Sequence, residues 1–423
     1  MDKPVGNPLR RGRLRQPEAS PRILMLAPEP FFEPRGTPFS EYHRIKALSE
    51  LGCRIDLVTY PFGRDVALPG LRIYRCPRPP LLRGVRIGPS AAKILLDLLL
   101  TATAARLAHA RLYDAVHSHE EAGVAGICLA EGLGGPHLSG MPSSLPQQLA
   151  NFGYDRSTLV RRLFEWAETL MVTRSRAVIT ICQELQDTAA ALGAADRASL
   201  IENVMGGDFD DGAPPQAPEI RARYGIDGDR PLVLYTGTFE AYQGLDLLIE
   251  AAALLGRTHP DARILVVGGT PAQVALARGQ ADGTASNLVF AGQRPPAEIP
   301  GFVEECDILV SPRTSGTNTP LKIYSYLRSG RPIVATRLRT HTQVLDPETA
   351  LLVAPRADAL AAGLARLIDD PGERERLAAA ARALASARYS RKAYVARTAA
   401  AYERLLGRPV PASGESPAAP PGP

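Results

Sequence analysis

Short apolar runs alternate with helical patterns twice along this chain, and this repetition constrains the fold more than any other feature. Arg22–Ala27 is an apolar run of the kind that a buried parallel strand requires, and a turn-rich stretch and a helical pattern at residues 40–51 follow it. The same order begins again at residues 231–236, which end at Gly237 and precede a helical pattern at 245–255. The sequence therefore predicts an α/β protein with two doubly wound, Rossmann-like domains that face each other across an interdomain cleft.

The remaining patterns divide the chain into segments. We predict further strands at residues 54–60, Ala115–His119, 177–181, Arg263–Val267, 287–290, Ile308–Ser311 and 332–336, and helices at 157–175 and Arg391–Leu406. Both ends are rich in Arg, Pro, Gly and Ser, which predicts disordered tails. The predicted organisation is a basic tail at 1–21, a first domain at 22–205, a linker at 206–230 with a Gly/Asp/Pro-rich hinge at 206–218, a second domain at 231–388, a helix at 389–407 and a tail at 408–423.

Charge and cysteine usage argue against several classes of function. The net charge is +5, but nearly all of the 49 basic residues are arginine and no nucleic-acid-binding motif accompanies them, so no nucleic-acid partner is expected. The five cysteines are scattered without a C-x-x-C pair, which argues against a metal site or a disulfide framework and fits a reducing compartment. The sequence shows no signal-peptide pattern and no apolar run of about 18 residues, so a cytoplasmic protein is predicted.

In each half of the chain, a glycine-containing loop follows the first strand. A glycine permits close approach of the backbone to a ligand, and a helix start offers unpaired N–H groups to an anion. Phosphate or sugar contacts are therefore predicted in both loops, and the alternative for the first is a simple turn in which Ser40 caps the helix. The candidate donor-binding residues in these loops are Gly36, Thr37, Gly237, Thr238 and Gln243.

Histidine and glutamate stand at the end of the predicted strand Ala115–His119. The carboxyl end of a strand would present His119 and Glu120 to substrate hydroxyls for acid–base chemistry, and these two are the catalytic candidates. His117 supplies a second imidazole, but no third ligand follows, so no metal ion is predicted. The alternative is a solvated polar loop.

The loop at residues 311–326 holds the densest group of binding residues. Arg313 and Lys322 are cations, and Thr317, Asn318 and Thr319 supply small hydrogen-bonding groups. Pro320 suits the first turn of a helix, which would place Lys322 in that turn. A lysine near a helix N-terminus is electrostatically unfavourable without an anion, so the pattern predicts a diphosphate site.

Taken in their order along the chain, these loops resemble those of the retaining family 4 glycosyltransferases of the GT-B fold. The likeness covers residues 22–406, and its second half is carried by "LYTGTFEAYQGLDLLIEA", "ILVVGG", "LVFAGQRPP", "CDILVSPRTSGTNTPLKIYSYLRSGRPIVAT" and "THTQVL". The resemblance implies a nucleoside diphosphate sugar held by the second domain and a glycan or lipid-linked acceptor held by the first. It also implies transfer with retention, without a metal ion or another cofactor, and a C-terminal helix that crosses back onto the first domain.

The resemblance also assigns roles to residues. It implies that Arg313 and Lys322 stabilise the diphosphate, that Gln293 lies near the nucleobase, and that His119 and Glu120 border the acceptor. The resemblance also implies that four residues face the donor sugar: Thr317, Asn318, Thr319 and Ser325.

The chain departs from the family at three places. The family commonly has two glutamates where this chain has Thr317 and Ser325, an Arg and a Lys where it has Thr238 and Gln243, and an Asp and a His where it has Gly140 and Pro142. These departures leave a second hypothesis open, namely a GT-B relic that binds a nucleotide sugar or glycan without turnover. A nucleotide-sugar epimerase is a further alternative, whereas a dehydrogenase lacks the G-x-G-x-x-G pattern that it requires.

Residues 83–111 combine apolar residues with five basic ones. Such a segment can lie on an anionic bilayer and approach a lipid-linked acceptor, so peripheral contact with the inner face of the membrane is one prediction. A core helix of the first domain is the alternative.

Overall fold

Two parallel sheets form the framework of the protein. The computed structural model describes residues 20–33, 36–80, 82–85, 90–151, 157–203 and 219–410. The first sheet contains β1 Arg22–Ala27, β2 Arg54–Thr59, β3 Leu71–Arg75, β4 Ala115–His119, β5 His137–Met141, β6 Ala177–Thr180 and β7 Ala198–Leu200. The second contains β8 Leu232–Thr236, β9 Arg263–Val267, β10 Leu288–Gly292, β11 Ile308–Ser311, β12 Ile333–Thr336 and β13 Leu351–Val353.

Helices cover both sheets. Those of the first half are α1 Gly36–Glu50, α2 Ala91–Ala110, α3 Gly123–Leu133, α4 Leu145–Asn151, α5 Thr158–Arg174 and α6 Gln183–Ala189. Those of the second half are α7 Ile220–Arg223, α8 Leu245–Thr258, α9 Pro271–Ala281, α10 Ile299–Glu305, α11 Leu321–Ser329, α12 Arg339–Thr342, α13 Ala357–Asp369, α14 Pro371–Arg388 and α15 Arg391–Leu406. Among these described helices, none combines the length and the apolar character that crossing a membrane requires.

The strand order confirms the predicted fold class. The first sheet has the order β3-β2-β1-β4-β5-β6-β7 and the second the order β10-β9-β8-β11-β12-β13, and every described strand pair is parallel. In each sheet the chain moves outward in one direction and then returns to the centre to move in the other. The resulting switch points lie between β1 and β4 and between β8 and β11, and ligands of open parallel sheets bind at such points.

The predicted strands agree with the observed ones to within two residues, because a strand buried on both faces is a continuous apolar run. Ile23–Ala27, for example, are completely buried. Most of the predicted basic and C-terminal tails and the glycine-rich hinge at 206–218 lie outside the described residues, as do residues 34 and 35 of the first loop.

Two local predictions were wrong. Helix α1 begins at Gly36 rather than at Ser40, because Pro38 is tolerated in a first helical turn, where its missing N–H has no partner to lose. Ser40 is therefore no helix cap, and its hydroxyl instead contacts the Asn203 side chain. Strands β3, β5, β7 and β13 were not predicted; β5, for example, includes His, Ser and Gly and shows no apolar run.

The C-terminal helix α15 follows the second half in the chain but packs into the core of the first. Tyr394 and Tyr402 are fully buried there, beside residues of β1 and β2. The carboxylate of Glu202 also forms two salt bridges with the returning segment. It lies 3.2 Å from Arg388, at the end of α14, and 2.6 Å from Arg397, on α15. The end of the chain is therefore part of the first domain's structure.

We expect Tyr402→Ala to destabilise the first domain by about 3–5 kcal/mol, the usual cost of removing a buried aromatic side chain. The change also removes a 2.6 Å hydrogen bond between the Tyr402 hydroxyl and His117 Nδ1. Urea unfolding followed by circular dichroism measures the effect. Lys392→Ala, on the exposed side of the same helix, is the control and should change the free energy of unfolding by less than about 0.5 kcal/mol. Equal losses in the two variants would contradict the packing of α15.

Candidate active site

Loops of the two halves meet at the carboxyl ends of both sheets. The Thr317 hydroxyl donates a hydrogen bond to Gln147 Oε1 at 2.7 Å, and the Asn318 amide donates to the carbonyl of Pro142 at 3.0 Å. The loop after β11 therefore touches the loop after β5, and the predicted donor-sugar residues Thr317 and Asn318 lie at the interdomain contact. Thr319 follows them and is buried.

Lys322 lies in the first turn of α11, as predicted, and its ammonium group turns back towards the end of β8. It donates a hydrogen bond to the carbonyl of Thr236 at 2.9 Å and lies 4.2 Å from the centre of the Tyr235 ring. Burial, and then the positive charge of Arg313, lower the pKa of Lys322 well below its ordinary value. The protein thus holds this lysine where its charge is poorly solvated.

Arg313 is buried on the neighbouring loop. Its Nη1 donates to the carbonyl of Asn318 and to the hydroxyl of Thr340, both at 3.1 Å, and the guanidinium lies 5.1 Å from the centre of the Tyr242 ring. Burial lowers the pKa of Arg313. The partners found for Arg313 and Lys322 within the described residues are neutral, and Arg313 Nε has none, so the pocket carries unbalanced positive charge.

The loop after β8 packs tightly against these cations. A Cβ atom on Gly237 would lie 3.4 Å from Lys322 Nζ, and one on Gly244 would lie 1.8 Å from the carbonyl oxygen of Pro312. Gly244 also has a φ of +75°, so no other residue fits there without moving the loop. Close approach of two backbone loops thus forms one wall of the cation pocket, and Thr238 and the buried Gln243 lie on the same loop.

The remaining predicted donor residues are Gly36, Thr37, Gln293 and Ser325. Gly36 is exposed at the start of α1, and the Thr37 hydroxyl lies 3.4 Å from Glu120, in the first half. Gln293 is exposed after β10. The Ser325 hydroxyl donates to the carbonyl of Lys322, in its own helix, at 2.8 Å. These four assignments stay predictions.

Glu120 combines several features of a functional residue. It has a φ of +46° and is the only non-glycine residue with a positive φ in the described part of the chain. Its carboxylate accepts hydrogen bonds from Gln148 at 3.2 Å and from Thr37 and Ser143 at 3.4 Å. Burial, followed by the charge of Glu121, raises the pKa of Glu120 to about 7, a suitable value for acid–base chemistry near neutral pH.

His119 is buried beside a partner that the sequence did not reveal. Its Nε2 lies 2.7 Å from Oε2 of Glu41, which is on the buried side of α1. Glu41 falls inside the predicted helix at 40–51, but the helical pattern did not indicate that its side chain faces β4. Geometry therefore adds Glu41 to the residues around the predicted catalytic pair.

Gly140 has a structural reason to be glycine. A Cβ atom at this position of β5 would lie 2.4 Å from His119 Nδ1 and 3.0 Å from His117 Nε2. The imidazole of His119 occupies the space that a side chain at position 140 would need. The departure from the family at Gly140 is thus coupled to the placement of His119.

Comparisons with known proteins agree with the fold described above. A family model described as "Glycosyl transferase 4-like domain" matches residues 42–203, and one described as "Glycosyl transferases group 1" matches residues 216–384. Sucrose-phosphate synthase from Thermosynechococcus elongatus has a similar structure, with a TM-score of 0.74 at 20% identity, covering 92% of this chain and 99% of that one. At this identity the likeness concerns the fold.

Two curated relatives have a higher sequence identity, over part of the chain. The α-D-kanosaminyltransferase of Streptomyces kanamyceticus is 30% identical over 251 residues, which are 57% of this chain and 64% of that protein. A GDP-mannose-dependent α-(1-6)-phosphatidylinositol monomannoside mannosyltransferase of Mycolicibacterium smegmatis is 34% identical over 185 residues, 41% of this chain and 48% of that protein. The match thus spans less than two thirds of each relative.

We expect Glu120→Gln to change how stability depends on pH. Since the folded protein holds a proton on Glu120 up to about pH 7, and the unfolded chain releases it near the ordinary pKa of 4.5, this group makes the free energy of unfolding fall as pH rises between those values. Glutamine removes that fall, so the variant should gain stability relative to the wild type from pH 5 to pH 8. Urea unfolding at four pH values measures the difference.

Glu131→Gln is the control for this experiment, because Glu131 is an exposed carboxylate of the same domain. The difference in free energy of unfolding between Glu131→Gln and the wild type should not change with pH in the same way. A Glu120→Gln difference that stays constant from pH 5 to pH 8 would show that the pKa of Glu120 is not raised.

Proposed function

Because the chain belongs to the family 4 glycosyltransferases of the GT-B fold, we propose that it transfers a sugar from a nucleoside diphosphate sugar to a glycan or lipid-linked acceptor, with retention and without a metal ion. The observation that carries this proposal is the unbalanced cation pair, Arg313 and Lys322, beside the start of α11. The relatives support it by name, since one is a GDP-mannose-dependent transferase that acts on a phosphatidylinositol mannoside.

The cation pocket is suited to a diphosphate. Two cations close together in a poorly solvated site repel each other, and an anion between them removes both the repulsion and much of the desolvation cost. The free N–H groups at the start of α11, after Pro320, add to the positive potential. Thr238 and Gln243 stand where the family commonly has basic residues, so Arg313 and Lys322 are the side chains that balance the charge of the diphosphate.

The same charges would assist the reaction. As the bond between the sugar and the diphosphate breaks, negative charge grows on the leaving oxygen, and Lys322 and Arg313 stabilise it more strongly than they stabilise the ground state. The acceptor hydroxyl attacks the anomeric carbon on the face from which the diphosphate leaves, so the configuration is retained and no protein nucleophile is needed. His119 and Glu120 border the acceptor on the opposite side of the cleft.

A relic without turnover is the less supported hypothesis. Gly140 and Pro142 were its main arguments, and the close contact between position 140 and His119 gives the glycine, though not the proline, a different explanation. The two curated relatives that match part of the chain are transferases by name. Neither finding favours a module that only binds.

We expect Lys322→Met to weaken binding of the preferred nucleoside diphosphate at least tenfold, or about 1.4 kcal/mol, and binding of the corresponding nucleoside less than twofold. Methionine keeps the length of the side chain and removes its charge. Calorimetric titration with UDP, GDP and ADP, and then with the matching nucleoside, measures both. Lys392→Met is the exposed control. Equal losses for diphosphate and nucleoside would place Lys322 away from the phosphates.

We also propose that the first half rests on the inner, anionic face of a membrane, where a lipid-linked acceptor would be presented. In support, α2 exposes 66% of Ile94 and 65% of Leu98, and α5 exposes 78% of Leu159 and 56% of Trp166. Helix α3 packs between α2 and α5, so both apolar groups lie on one side of the first sheet.

The basic residues predicted for this contact are only partly available, and one of them, Arg86, lies outside the described residues. Lys93 and Arg111 bind Glu121 and Asp56 within the protein, whereas Arg83 and Arg106 are exposed. Leu96, Leu100 and other side chains of α2 are also buried, so α2 is a core helix as well. Apolar insertion is therefore the larger part of the proposed contact, and charge is the smaller part.

The single tryptophan makes this contact measurable. We expect the emission of Trp166 to shift to shorter wavelength when vesicles with half phosphatidylglycerol are added at low salt, since Trp166 then enters the interface. A Leu159→Asp/Leu163→Asp variant should lose the shift, and Leu276→Asp, on the exposed surface of the second half, should keep it. No shift, or one that depends on protein concentration without vesicles, would refute membrane contact.

A further inference from the structure

Carboxylates gather at the switch point of the first sheet. Glu29 follows β1, Glu41 lies on α1, and Glu120 and Glu121 follow β4, so the segments that flank the crevice between β1 and β4 all contribute an acid. A crevice of this kind is where a doubly wound sheet binds its ligand. In the first half, this crevice is therefore lined by carboxyl groups.

Few positive charges balance these acids. Lys93 Nζ binds Glu121 at 2.8 Å, and His119 lies against Glu41. The hydrogen bonds to Glu120 come from neutral hydroxyl and amide groups. The charges that act most on Glu29 are three carboxylates and one cation, Lys93. Within the described residues, Lys93 binds Glu121, and Arg44 lines the small cavity beside Glu41 but donates a hydrogen bond to Thr398.

Glu29 is the second, separate indication of a ligand. Its side chain is only 7% exposed, and its Oε1 has no hydrogen-bond partner within the described residues. Its electrostatic neighbours are Glu41, Glu120, Glu121 and Lys93, so its carboxyl group faces the same crevice. Burying an acceptor without a donor is costly, and native structures normally supply the donor. Burial and the neighbouring carboxylates raise the pKa of Glu29 well above its ordinary value, as expected where the partner is missing.

We propose that this crevice recognises an acceptor that carries a protonated amino group, and that Glu29 binds this group directly with the support of Glu120 and Glu121. The inference rests on the proposed transfer reaction and names the chemical class of its acceptor. An ammonium group offers three donors and a positive charge, whereas a hydroxyl group at the same position offers one donor and no charge. An ammonium group favours the ionised form of these carboxyl groups, whereas a neutral acceptor does not.

The test compares three probes that differ at one group: 6-amino-6-deoxyglucose, its N-acetyl derivative and glucose. Saturation-transfer NMR titration uses the full chain, saturated with the nucleoside diphosphate that it binds best. We expect the amino sugar to bind at least tenfold more tightly than both neutral sugars. In Glu29→Gln this ratio should fall below threefold, while the neutral sugars bind as in the wild type. Glu131→Gln, an exposed carboxylate of the same domain, should keep the wild-type ratio.

A second variant covers the case in which Glu29→Gln does not fold. Glu121→Gln frees Lys93, which then repels the ammonium group, so the selectivity should fall in this variant as well. Equal binding of the three sugars, or no binding of the amino sugar at 20 mM, would overturn the proposal. Nucleotide affinity, measured in the same samples, reports on the second half alone, so its loss would count against the transferase proposal instead.

Discussion

Two positive charges held together away from water are the constraint on which the second half of the molecule depends. Arg313 and Lys322 are held by the carbonyls of Asn318 and Thr236 and by the faces of two tyrosine rings. Carbonyl groups and ring faces fix the two cations without cancelling their charge. A carboxylate would hold them more firmly, but it would compete with a phosphate for the same groups. Neutral partners therefore keep the pocket ready for an anion, at a cost in the stability of the empty protein.

The first half uses the same topology with a different kind of side chain. Its switch point between β1 and β4 corresponds to that between β8 and β11, and it is lined by glutamates instead of an arginine and a lysine. The sheet order determines where a ligand can bind, whereas the side chains on the loops determine what binds there. The contacts Thr317–Gln147 and Asn318–Pro142 bring the two switch points together, so the two halves can differ in the chemistry of their ligands within one cleft.

The sequence revealed the framework better than the site, for physical reasons. Buried parallel strands are continuous apolar runs, so most of their positions, the loops after them and the place of Lys322 in the first turn of α11 were predictable. The start of α1, the strands β3, β5, β7 and β13 and the role of Gly140 were not. Strand β5 has no apolar run, and the role of Gly140 depends on its contact with His119, which a local pattern does not record. Glu41 was missed because its contact with His119 joins segments far apart in the chain.

The return of the chain to its first half ties the two halves together. The chain leaves the first half after Asn203 and returns to it after Arg388, and Glu202 binds both Arg388 and Arg397 of the returning segment. A carboxylate beside the first sheet therefore holds the segment that comes back from the second half. The contacts made by Thr317 and Asn318 lie in other loops, so the halves are held together at two separate places.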